Sequence, residues 1–207
     1  MTARHDLAAP ADPAALLDRA IGFVLGAVHE VTPERLASPT PCANWNLRAL
    51  LLHVTDSLEA LCDGLGNGRV DLPAPAGPAA CPDDPVANLR GQAARLRGVW
   101  AAEAGRGRPV LIADSALDPR IVLGVGAVEI AVHGWDICRA CGLRRPIPPA
   151  LAVELAAISV LVVTARTRYP SFAAPVAAPS HACPSDQLVA YLGRDPDSIL
   201  DSPGGRA

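Results

Sequence analysis

Lysine is absent: all 18 basic residues are arginine. Beside abundant alanine, glycine and proline, that is the composition of a GC-rich genome, which concerns codons rather than chemistry. Aromatic residues are scarce at 3%, although half the chain is hydrophobic. The core must then be Leu, Val, Ile and Ala, which suits closely packed helices better than a β-sandwich. An excess of either charge is also missing. A net charge of −3 leaves neither a nucleic-acid footprint nor an acidic tail. The longest apolar run, residues 151–165, contains Glu154 and falls short of the ~20 residues a membrane span needs. Residues 1–13 mix Arg4, Asp6 and Asp12 and lack the apolar segment of a signal peptide. The expectation is a soluble, cytoplasmic protein with no nucleic-acid or membrane partner. Its six cysteines are then reduced thiols rather than three disulfides.

What is present is a series of capped, apolar-striped segments. At 207 residues the chain suits one domain with a tail. Asp12-Pro13 opens a first helix to about residue 30, striped by Leu16, Leu17, Ala20, Val24 and Val28 and broken by Thr32-Pro33. Asn46 caps a second helix to about residue 64, with Trp45 placed to staple onto Leu50. Residues 64–82 read as a long loop. Asp83 or Asp84 caps a third helix to about residue 104, with Leu89, Ala93, Leu96 and Trp100 inward. A short strand fits 110–112. A fourth helix runs from about Arg120 to Ala140 and stops at Gly142. Pro148 and Pro149 introduce a fifth to about Arg168, and a last short helix spans 185–192. Residues 201–207 read as frayed.

The fourth helix carries the chemistry. Residues 128–142 read V-E-I-A-V-H-G-W-D-I-C-R-A-C-G. Residues advance about 100° along a helix, so Glu129 and His133 project from one face, one turn apart. His53, at the edge of the second helix's apolar stripe, is the candidate third ligand. Two imidazoles and a carboxylate form a common catalytic zinc set with one position left for water or substrate, and bundles place such ions between facing helices. A single Glu-x-x-x-His predicts one metal, where paired-metal bundles need two Glu-x-x-His repeats. The same donors suit iron or nickel. The plainer alternative is an ion pair on the fourth helix and a core-edge histidine on the second. Asp136, three residues after His133 on the same side, either orients an imidazole as a hydrogen-bond acceptor or simply caps a hydrogen bond near Trp135. Cys138 lies about 140° round the helix from His133, so Cys138 and Cys141 do not join the cluster. Cys42, ahead of the second helix, reads as a poor co-ligand. Buried packing is the default for Cys42, Cys62 and Cys81. His29 suits a helix C-terminus, and His5 and His181 receive no role.

Four motifs, T-P-C-A-N-W at 40–45, L-L-H-V at 51–54, V-E-I-A-V-H-G-W-D at 128–136 and L-G-R-D-P at 192–196, resemble the actinobacterial metal-binding proteins of the DinB/YfiT-like superfamily. More narrowly they resemble the branch related to mycothiol-dependent maleylpyruvate isomerase. The resemblance implies an all-α, DinB/YfiT-like four-helix bundle over 1–168, with extra C-terminal helical segments over 169–207. It implies one divalent ion, often zinc or nickel, held by a histidine of the second helix and an E-x-x-x-H of a later one. Those positions fall on His53, Glu129 and His133. The isomerases carry a further C-terminal domain that contributes to their active site, whereas here only residues 169–207 follow the bundle.

The leading expectation is a metal-dependent thiol transferase or isomerase, using mycothiol or a similar small thiol as cosubstrate against a small electrophile. A coordinated thiol loses its proton at neutral pH without a dedicated base. One of the arginines could clamp an anion. The alternatives are hydrolysis by metal-bound water and a non-catalytic metal-binding or partner-binding bundle, and a homodimer is compatible with each.

Overall fold

Four side chains start the four long helices. The carboxylate of Asp12 accepts from the Ala14 N–H, the Asn46 amide from Ala49, Asp84 from Val86 and Ala87, and Asp118 from Arg120. Each satisfies N–H groups that the first helical turn leaves without partners. The structure is a computed structural model describing residues 12–43, 45–70, 83–103, 108–169 and 172–198. Its helices are α1 (Pro13–Val28), α2 (Leu47–Asn67), α3 (Pro85–Glu103), α4 (Pro119–Ala140), α5 (Pro149–Val162) and α6 (Pro184–Tyr191). Among the described residues it is an all-α protein built on the bundle α1–α4, with α5 and α6 added. The expected fold class is what is found.

α4 is the axis. It packs most extensively on α1, then on α2, and α5 leans on its outer side. From Val122 to Ala140 nearly every residue is buried, so α4 has no polar face. It is long and apolar enough to cross a membrane, yet 83% of its apolar window is buried inside the bundle, which explains that composition as core packing. The core is Leu, Ile, Val and Ala, with Phe23 and Trp135 as its large aromatics. α5 is apolar on all sides but covered only in part: Val153, Val160 and Leu161 stand exposed.

The boundaries depart from the sequence reading in three places. α2 continues to Asn67 instead of ending near Gly64, because Gly64 is a packing residue: a Cβ there would lie 2.9 Å from Val70 and 3.0 Å from Val110. α5 stops at Val162, short of Arg168. The Thr167 hydroxyl donates to the Val162 carbonyl at 2.7 Å and accepts from the Thr164 N–H at 2.9 Å, replacing helical bonds with a local turn. A three-stranded sheet closes the bundle's end, of which only β2 (Val110–Ile112) was expected. β1 (Arg69–Val70) pairs parallel to β2, and β3 (Ser115–Leu117) pairs antiparallel to it. β1 and β3 are too short for alternation to show in sequence. Five cysteines are free thiols, and Cys81 lies outside the described residues, as do His5 and the tail 201–207.

Candidate metal centre

α2 and α4 bring the three expected residues together. His53 Nε2 lies 2.7 Å from Glu129 Oε1, and His133 Nε2 lies 3.2 Å from the same oxygen. The two imidazoles meet edge to face with centroids 5.0 Å apart. The donor atoms all fall within 4.8 Å of one another, close to the span of about 4 Å that two bonds of about 2 Å to one ion permit. The set is graded in exposure. The His133 side chain is 7% exposed, while those of His53 and Glu129 are 35% and 30% exposed. The cluster is therefore fixed from below and open from one side.

Burial pushes the Glu129 carboxyl up, but hydrogen bonds from His133 and His53 outweigh it and hold the group far below the usual carboxylate range. Glu129 is thus a carboxylate, the form a cation needs.

The loop before α2 packs against the cluster, with the Trp45 ring 6.2 Å from that of His133. The Thr40 hydroxyl accepts from the Cys42 N–H at 3.1 Å and faces the Cys42 and Trp45 carbonyls at 3.2 and 3.0 Å. Pro39 and Asn46 form an antiparallel bridge across the turn. The turn so pinned sets the Trp45 ring 4.6 Å from that of His53 and leaves it 36% exposed.

The same turn puts Cys42, read from sequence as a poor co-ligand, outside the His53–Glu129–His133 set but 3.8 Å from His133 Nδ1. Asp136, fully buried, lies 2.9 Å through Oδ2 from His133 Nδ1 and accepts from the Cys42 thiol at 3.2 Å and Arg194 Nη2 at 3.1 Å. With Nδ1 held by Asp136, Nε2 is the ring nitrogen that faces Glu129 and His53, which is an orienting role for Asp136. Burial works against charge on Asp136 as well, and the Arg194 guanidinium, followed by His133, keeps its carboxyl below the ordinary range. Cys42, His133 and Asp136 form a second cluster of donor atoms. The guanidinium beside Asp136 already neutralises it, so a cation there would face another cation. The chemistry of the donors favours the His53–Glu129–His133 side.

Arg194 and Cys42 are the residues that sequence reasoning missed. Each stands within a motif singled out above, L-G-R-D-P and T-P-C-A-N-W, but 58 and 94 residues from Asp136. Cys138 and Cys141 are buried at the end of α4 and belong to neither cluster. His29 caps the C-terminus of α1, and His181 is exposed on the segment before α6.

Comparison with known proteins agrees with this architecture. The description of the mycothiol maleylpyruvate isomerase N-terminal domain matches residues 17–138, which run from α1 through most of α4. The uncharacterized proteins MT0763 and Rv0738, from two strains of Mycobacterium tuberculosis, are each 30% identical over 185 residues. The aligned region covers 88% of this chain and 98% of each relative. No solved structure matches it significantly. With most of the four bundle helices and His53, Glu129 and His133 inside the matched region, the chain belongs to the mycothiol maleylpyruvate isomerase N-terminal domain family.

Proposed function

We propose that this protein binds one divalent metal ion through His53, Glu129 and His133. It would use the ion in a thiol-dependent S-transfer or isomerisation, with mycothiol or a similar small thiol as cosubstrate and a small electrophile as substrate. The observation that carries the reading is the convergence of two imidazole nitrogens and one carboxylate oxygen from α2 and α4, with the His53 and Glu129 side chains about a third exposed. Zinc is the first choice for that set, with nickel or iron as alternatives. When bound, such an ion lowers the pKa of a coordinated thiol or water. The protein's own part is to hold His133 as an Nε2 ligand through Asp136, to supply one negative charge from Glu129, and to wall the open side with Trp45. Family membership supports the small-thiol class of substrate.

Elemental analysis tests the ligand set. The purified protein should carry about one equivalent of divalent metal, and His133→Ala should carry none. Stoichiometric metal in folded His133→Ala would sink the triad. Cobalt in the site separates the chemistries. A change in its visible spectrum on adding mycothiol is the expected result. An unchanged spectrum, with cobalt still bound, would redirect the reading to hydrolysis by metal-bound water.

A further inference from the structure

Arg194 lies outside the family-matched residues, in a motif to which no chemistry has yet been attached. The end of α6 is built to deliver it. The Gly193 N–H bonds the Ala190 carbonyl at 3.0 Å, and the Arg194 N–H bonds the Val189 carbonyl at 2.9 Å. These two bonds define a Schellman cap, whose residue past the helix takes a left-handed conformation. Gly193 has φ 85°, and a Cβ there would meet the Ala173 carbonyl oxygen at 2.8 Å. The chain turns there, and the Arg194 side chain, 10% exposed, enters the bundle. Nη1 donates to the Leu192 carbonyl at 3.0 Å, the guanidinium stands 5.9 Å from the Phe172 ring, and Nη2 reaches Asp136 Oδ2.

The oxygen it reaches also takes the His133 Nδ1–H. Asp136 Oδ2 serves His133, Cys42 and Arg194 together, whereas Oδ1 is buried without a hydrogen-bond partner. A buried carboxylate bonded through one oxygen alone is held in its rotamer by those partners, and Arg194 supplies the opposite charge. We propose that Arg194 is a positioning residue for the metal centre. Through Asp136 it fixes the ring and tautomer of His133, so that Nε2 is presented to the ion. The C-terminal segment around α6 thereby completes a centre whose ligands all come from α2 and α4. The inference rests on the proposed His53–Glu129–His133 ligand set.

The test measures zinc affinity by chelator competition on the full chain, for wild type, Arg194→Ala, Arg194→Gln and Arg168→Ala. Arg168 bonds the Ala173 and Tyr191 carbonyls in the same region and does not touch Asp136, so it reports structural loss alone. Removal of an outer partner of a metal-bound histidine weakens affinity about 10–100-fold. Arg194→Ala and Arg194→Gln should fall in that range with unchanged helical circular dichroism. Added guanidinium ion should restore part of the Arg194→Ala loss, a recovery that damaged packing would not show. Arg168→Ala should bind zinc as wild type does. Wild-type zinc affinity in either folded Arg194 variant would overturn the proposal, as would an equal loss in Arg168→Ala. If wild type binds no zinc, or His133→Ala binds it equally well, the ligand set itself fails. If both of those controls behave and Arg194 is silent, only the positioning role fails.

Discussion

At the scale of single residues, this protein separates two uses of burial. His133 and Asp136 are buried against each other, and Asp136 takes Arg194 and Cys42 as well, all through Oδ2. Cys138 is buried among apolar groups, and burial pushes its thiol up to about 11. That shift has a sign with consequences. Between pH 9 and 11 the folded state keeps the Cys138 proton while the unfolded chain gives it up, so stability falls as pH rises through that interval. Two pK units correspond to roughly 2–3 kcal/mol. Urea titrations from pH 8 to 11 should show wild type losing stability relative to Cys138→Ala by a difference of that order. Parallel curves for the two proteins would remove the argument. His53, Glu129 and His133 were legible as residues because each lies on a predictable helix face. Cys42 and Arg194 were not, because their approach to Asp136 depends on a proline-bounded turn and a glycine cap that no helical period encodes.

At the scale of elements, legibility follows the caps. Asp12, Asn46 and the pair Asp83/Asp84 mark helix starts in sequence, and Asp12, Asn46 and Asp84 cap them in the structure, since each side chain accepts from N–H groups that the first turn leaves without partners; Asp118 does the same for α4, whose start was read only as near Arg120. The helix ends were less readable where a glycine serves packing, as Gly64 does, or where a threonine turn cuts an apolar run, as at Val162. Glycines therefore divide by environment, and substitution should divide them by sign. Gly98, inside α3, has nothing within 4 Å of where a Cβ would stand, so Gly98→Ala should stabilise by about 0.5–1 kcal/mol through helix propensity. Gly193→Ala should destabilise by about 1–3 kcal/mol, because a left-handed backbone conformation and a 2.8 Å approach to a carbonyl act together. Chemical denaturation of the two variants checks the pair. A stabilising Gly193→Ala would mean that the α6 cap is not held as described.

At the scale of the molecule, the candidate centre joins α2 to α4, which are separated by α3 and the small sheet in sequence. An ion held there would bind the folded bundle and find no assembled site in the unfolded chain. Metal must then raise stability by mass action, by about 2.7 kcal/mol at a free concentration 100 times the dissociation constant. For a chain of this size, 1 kcal/mol moves the melting temperature by about 2–4 °C, so the expected rise is about 5–11 °C. The metal-stripped protein should still fold, because the core from Leu16 to Leu192 is continuous without the site. It should melt lower and recover on adding zinc, while His133→Ala should melt at one temperature with or without zinc. Equal zinc-induced shifts in both proteins would place the stabilising ion elsewhere. A wild type indifferent to zinc would leave α2 and α4 joined by packing and by the Glu129 contacts alone.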